Sequence, residues 1–149
     1  MNYTSNRAII DPPYRYTLLR AWDGSINEPL PLFIMLNPST ADAAKDDPTI
    51  RRVVGFAQSW GYGGVEVVNL FAFRATDPRD LAASADRAVG PDNDDILFSR
   101  ALKAPLVVAA WGAHPFARDR AARVIDALQG MRAIMCLGTT KNGSPRHPL

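Results

Sequence analysis

The chain has 149 residues, 47% of them hydrophobic and 21% charged, with a formal net charge of +2. That length suits one domain, and the balance excludes a disordered chain and a nucleic-acid protein defined by charge alone. No apolar run approaches the ~18 residues that span a bilayer, and the N-terminus lacks the apolar stretch of a signal peptide, so the cytoplasm is the expected compartment.

In chain order, YRYTLLRAW (14 to 22), followed by Asp23-Gly24, reads as a strand running into a turn, an antiparallel edge. LFIMLN (32 to 37) is the first of four short aliphatic stretches; the others are VEVVNLFA (65 to 72), PLVVAAWG (105 to 112) and RAIMCLG (132 to 138). None alternates cleanly with polar residues, which suits strands buried on both faces of a parallel sheet.

Helices fall between them. The first starts at Asp47-Pro48 and ends at Gly61, with Ile50, Val53, Val54, Ala57 and Trp60 on one apolar face. The stretch from Thr76 to Asn93 is weakly defined, with a short helix opened by Asp77-Pro78. A further helix runs from about Asp94 to Lys103 with Ile96 and Leu97 inward, and another over about 115 to 129 with Phe116, Ala121, Val124 and Leu128 inward. The alternation of strand and helix predicts a single α/β domain with right-handed crossovers.

Fourteen of the 17 basic residues are arginine. The planar fork of arginine suits phosphate, and a GC-rich genome produces the same bias. The lone Cys136 excludes an internal disulfide; its neighbours Ile134, Met135 and Leu137 predict an inert thiol in a buried strand.

In an open parallel sheet ligands bind beyond the carboxyl ends of the strands. The exits here are Asn37-Pro38-Ser39-Thr40, Asn69, Trp111-Gly112-Ala113-His114 and Gly138-Thr139-Thr140-Lys141-Asn142. Sharing one rim, they would make a pocket for a planar, hydrogen-bonding ligand. Each also has a structural role open to it. Asn37 before Pro38 is a common turn initiator, Trp111-Gly112 can serve packing and a turn, and His114 can cap the helix beginning at Pro115. Lys141, Arg146 and His147 can be a solvated tail. Asn69, if buried, needs partners, which a ligand or a neighbouring loop would supply. There is no G-x-x-x-x-G-K-[ST] loop, GYGG (61 to 64) precedes a strand, no G-x-S-x-G surrounds Ser39, and two histidines with one cysteine make no zinc set. No metal and no cofactor are expected.

LNPSTAD, DPTIRR, GFAQSWGYGG, VVNLFAFRATDP, AAWG and TKNGSPRHPL resemble a bacterial and phage family described as a domain of unknown function, over most of residues 30 to 149. More distantly the series resembles the uracil-DNA glycosylase superfamily. That resemblance implies a three-layer α/β/α sandwich around a four-stranded, mainly parallel sheet, here with an N-terminal edge strand or hairpin. It implies that Asn37 in MLNPST holds a water, with Pro38 as the motif proline, that Asn69 in VEVVN pairs with the edge of a base, and that His147 before Pro148 stabilises the departing base. Trp111-Gly112 matches a strand ending of those enzymes. Ser39 stands where uracil-selective members carry a tyrosine, which implies an open pocket.

Asn37 and His147 are thus the catalytic candidates. Pro38, Ser39, Asn69, Phe71, Trp111, Gly112, His114, Lys141, Asn142 and Arg146 form the expected binding set, with Phe71, Phe73 or Trp111 stacking on the base and Lys141 and Arg146 meeting phosphate. An amide takes up no proton near neutral pH, so Asn37 would only orient water and turnover would be slow beside a carboxylate site. His147-Pro148 lies where glycosylases continue into an apolar wedge, which favours single-stranded DNA or a nucleotide over duplex. The expected function is binding of a nucleobase or nucleotide, with hydrolysis of an N-glycosidic bond. The alternative is a non-catalytic nucleotide or nucleic-acid binding module that has lost the reaction, and chemistry on a small metabolite is a third class that the fold leaves open. The expected partner is a nucleobase, a nucleotide or single-stranded nucleic acid, not a membrane.

Overall fold

The computed structural model describes residues 2–24, 29–85 and 87–149. A hairpin opens the chain: β1 (Ser5–Asp11) and β2 (Tyr14–Ala21) pair antiparallel, and β2 pairs antiparallel in turn with β4 (Gly64–Asn69), Leu18 lying opposite Val67. β2 is therefore an interior strand rather than the edge predicted from its sequence, because β1 covers its outer side. β3 (Leu32–Met35) lies parallel between β4 and β5 (Val107–Ala109), and β5 carries β6 (Met135–Cys136) on its far side. The order is β1-β2-β4-β3-β5-β6, a six-stranded mixed sheet in place of the four-stranded one expected. The four apolar runs do supply its parallel strands.

Among the described residues four helices complete the fold: α1 (Pro48–Ser59), α2 (Pro78–Ala83), α3 (Asn93–Lys103) and α4 (Arg118–Leu128), the last preceded by a 3₁₀ turn over Pro115–Ala117. Alternation along the strands assigns their faces. Phe33, Met35, Val65, Val67 and Val108 pack on Ile50, Val53, Val54 and Ala57 of α1. Leu32, Ile34, Val68, Val107 and Ala109 pack on Leu97 and Ala101 of α3 and on Ala121, Val124 and Leu128 of α4. Helices thus cover both faces, and each fully buried aliphatic side chain stabilises the fold by roughly 1.5–3 kcal/mol.

Two expectations are corrected. Cys136 is exposed, as is Met135, because β6 is the outermost strand and has a neighbour on one side only. Trp60 is 41% exposed; it lies outside the core, stacked on Phe56 and Phe33 at ring separations of 5.6 and 5.8 Å. No helix among the described residues is long and apolar enough to cross a membrane.

Candidate functional site

Below the first turn of α1, at the carboxyl ends of β3 and β4, lies a cleft of about 260 Å³ on the α1 face of the sheet. Met35, Val67 and Ile50 form its apolar wall; Asn37, Ser39, Asp47, Thr49, Asn69, Arg15 and His147 bring polar groups to it. The two asparagines come together because β3 and β4 are parallel neighbours in register, Met35 beside Asn69, and Leu70 and Phe71 continue the pairing by donating to the Met35 and Leu36 carbonyls.

Asn69 is buried at 1% exposure, and neither Nδ2 nor Oδ1 has a hydrogen-bond partner among the described residues. A buried polar group left unpaired costs about 1–3 kcal/mol, so a ligand able to pair with this amide gains the most from the site. Its backbone is fixed from behind. Asn93, at the start of α3, donates Nδ2 to the Asn69 and Leu70 carbonyls at 2.9 and 3.1 Å, and Arg120 Nε donates to the Leu70 carbonyl at 2.9 Å. Asn37 is half-buried, and its Nδ2 donates to the Ala75 carbonyl at 2.6 Å and to the Pro38 carbonyl at 3.0 Å. Nδ2 is therefore engaged by the neighbouring backbone, and Oδ1 has no partner among the described residues.

The loop between β3 and α1 forms the outer wall, and arginines pin it by reading its carbonyls. Arg15 Nη1 donates to Ala41 O at 2.8 Å, Arg74 Nε to Ser39 O at 3.2 Å, and Arg20 Nη2 to Asp42 O at 2.5 Å while its Nε pairs with Asp46 at 2.8 Å. Asp47 closes this loop onto α1: Oδ1 accepts from the Ile50 N–H at 2.9 Å and Oδ2 from the Ala41 N–H at 3.4 Å. It is also the one carboxylate lining the cleft among the described residues. His147 reaches the rim from the chain end, held by Arg52 Nε donating to the Pro148 carbonyl at 3.2 Å. Partial desolvation depresses the affinity of its imidazole for a proton, and the Asp47 charge opposes that shift without cancelling it.

The predicted binding set divides in two. Asn37, Ser39, Asn69 and His147 line this cleft, beside a buried Pro38. Trp111, Gly112, His114 and Asn142 line a separate hollow of about 400 Å³ between α4 and the turn near Pro145, since β5 exits on the far side of β3. His114 serves its structural role: Nδ1 accepts from the Phe116 N–H at 3.2 Å and caps the 3₁₀ turn. Trp111 is buried in the core, Phe71 packs on Phe116 at 4.9 Å and Phe73 on Tyr14 at 6.2 Å, so none of the three stacking candidates lines the cleft. Lys141 and Arg146 are exposed, outside the lining. Sequence reasoning missed Arg15 and Asn93, and took Asp47 for a helix cap alone. A wider groove of about 420 Å³ near Leu19 and Leu30 is lined by Arg7, Glu66, Arg100 and Lys103, with Glu66 and Arg100 ion-paired at 3.2 Å.

The molecule is thus an α/β protein with a polar cleft at the exits of two adjacent parallel strands. It belongs to the family of proteins of unknown function DUF1643, whose model matches residues 15–149. No curated protein and no solved structure matches the chain.

Proposed function

We propose that the cleft binds a nucleobase, free in a nucleotide or unpaired in a single strand, with Asn69 reading the edge of the base. The observation that carries this reading is the Asn69 amide, buried and unpaired on both atoms at a strand exit. A side-chain amide offers one donor and one acceptor side by side, the complement of a heterocycle edge that presents an acceptor beside a donor. A volume of about 260 Å³ suits one base with its sugar. The distant likeness to uracil-DNA glycosylases supports the same assignment, and four parallel strands ordered β4-β3-β5-β6 with helices on both faces accord with a sandwich of that type.

A hydrolytic reading is favoured by one further observation, the presence of Asp47 beside Asn37 in the cleft. Asn37 Oδ1 can orient a water but cannot take its proton; a carboxylate can. Scission of an N-glycosidic bond would then send the water proton to Asp47, the water oxygen to the anomeric carbon and the bonding pair to the base, whose developing charge His147 stabilises.

Titration of the protein with pyrimidine and purine nucleosides and with short single-stranded oligonucleotides, followed by calorimetry, tests the binding reading. Saturable binding that Asn69→Leu abolishes is the expected result. Absence of binding to every base-containing probe, or binding indifferent to Asn69→Leu, overturns it. Release of free base or abasic product from uracil-containing single strands, lost in Asp47→Asn, separates the hydrolase from the binding module.

A further inference from the structure

Resting on the nucleobase reading, we propose that Arg15 is an oxyanion-binding residue of the cleft and that the ligand carries a phosphate group which Arg15 takes there. The first support is backbone geometry. Ile9 pairs with Thr17 but Ile10 pairs with Arg15, so Tyr16 is an extra residue in β2, a bulge. Beyond it the alternation of faces is shifted by one. Thr17 and Leu19 face the groove on the far side of the sheet, and strict alternation would send Arg15 there with them. Instead Tyr16 points toward Asp92 at the start of α3, whose N–H it approaches at 3.5 Å, and Arg15 lines the cleft. Bulges next to binding sites serve to re-aim a side chain in this way.

The second support is the state of the guanidinium. Arg15 is only 2% exposed; Nη1 is engaged by Ala41, and Nε has no partner among the described residues. No ion pair joins it to a carboxylate among the described residues. Asp47 is the charge that most favours its protonated form, yet both Asp47 oxygens are engaged by the N–H groups of Ile50 and Ala41. Burial accordingly prevails over Asp47 and pushes the Arg15 pKa down to about 10, as expected of a buried cation short of a counter-charge.

The third support is what else lines the cleft. Thr49 and Ile50, in the first turn of α1, bring the positive end of a 12-residue helix to the same space. The cationic residues expected to meet phosphate, Lys141 and Arg146, are exposed and outside it. Arginine presents donors in a planar fork that matches phosphate oxygens, and a desolvated pairing of this kind is stronger than one in water.

The chemistry fits the phosphate of a free nucleotide or the phosphodiester of a single strand, and the experiment distinguishes them. Uridine, uridine 5′-monophosphate, ribose 5-phosphate, inorganic phosphate and a short single-stranded oligonucleotide are titrated into the full chain, with calorimetry and the Nε–H resonance of Arg15 as readouts. The monophosphate is expected to bind roughly tenfold or more tightly than the nucleoside, the scale of one charge-assisted hydrogen bond, and to shift the Arg15 resonance. Arg15→Gln should bring the affinity ratio of monophosphate to nucleoside toward one, with Arg15→Lys in between. An Arg15 shift with the oligonucleotide assigns the phosphodiester; a shift confined to the mononucleotide assigns the free nucleotide.

Equal binding of nucleoside and monophosphate, or an Arg15 resonance unmoved at saturation, overturns the proposal and leaves base reading by Asn69 standing. Ribose 5-phosphate binding as tightly as the nucleotide, with an Arg15 shift, does the reverse. Should Arg15→Gln fail to fold, having lost its bond to Ala41, the wild-type resonance decides alone.

Discussion

Replacing Asn69 with leucine should make the protein more stable and abolish its ligand binding. Both side chains branch at the γ carbon, so leucine fits the same floor and packs against Met35, Val67 and Ile50, which line the cleft with it. The wild-type amide is 1% exposed with two unpaired atoms. At about 1–3 kcal/mol for each buried unpaired group, the free protein bears up to about 2–6 kcal/mol of unmet demand. Water entering the cleft answers part of that demand, so a net gain of about 1–2 kcal/mol is expected. For a chain of this size each kcal/mol moves Tm by about 2–4 °C, giving a rise of about 2–8 °C in a calorimetric scan. A gain in stability with a loss of binding is the signature of a residue kept for function. A loss of stability of 1 kcal/mol or more would refute the reasoning, since it would mean that the amide already has firm partners in the free protein.

Asn93→Ala should destabilise by about 1–3 kcal/mol in a denaturant titration, because the Asn69 carbonyl loses its Asn93 donor, whereas the Leu70 carbonyl keeps Arg120; ligand affinity should fall with it, and an unchanged midpoint would count against Asn93 as the backing of the site. Asp47→Ala should cost about 0.5–2 kcal/mol through the lost cap of α1, while Asp47→Asn keeps one oxygen for the Ile50 N–H, loses the longer bond from the Ala41 N–H and costs less than the alanine. By NMR titration the His147 imidazole should show a midpoint below its ordinary 6.5, and lower still in Asp47→Asn, since Asp47 opposes the depression. The folded state binds this proton less readily than the unfolded chain, so the His147 contribution to stability is full above pH 6.5 and declines as pH falls through that value toward the folded midpoint; a midpoint above 6.5 would contradict the placement of the ring. Cys136 should react with a thiol reagent in the native protein without denaturant, whereas reaction only after unfolding would show the β6 edge to be covered.

What the sequence disclosed follows from how local the cause is. The starts of α1 and α2 were legible because Asp47-Pro48 and Asp77-Pro78 hold their capping chemistry within three residues. The parallel strands were legible as apolar runs, but their lengths were not: Leu70, Phe71 and Ala72 are as buried as the strand before them yet lie outside its ladder. Hydrophobicity reports burial, and burial continues beyond the regular strand. The N-terminal hairpin was one of the two expected forms, but the residues of β1 were not located, because most of them face solvent. The meeting of Asn37 and Asn69 followed from the rule about strand exits. Arg15 did not, because a bulge at Tyr16 breaks the alternation from which its direction would be read. Asp47 was concealed by its own adequacy as a cap, one role sufficing to explain the residue type. The arginines have a use that composition does not suggest: Arg15, Arg20, Arg52, Arg74, Arg120 and Arg132 each donate to a backbone carbonyl.

The hairpin of β1 and β2 stands outside the parallel strands, yet Arg15 and Arg20 reach from it across more than twenty positions of sequence to grip the irregular loop ahead of α1. That loop has little regular pairing of its own and borrows its order from the hairpin. Undocking of β2 therefore releases one side of the cleft at the same moment, which makes the two a single cooperative unit. The bonded amide protons of Ala41 and Asp42 should exchange at rates matching those of β2.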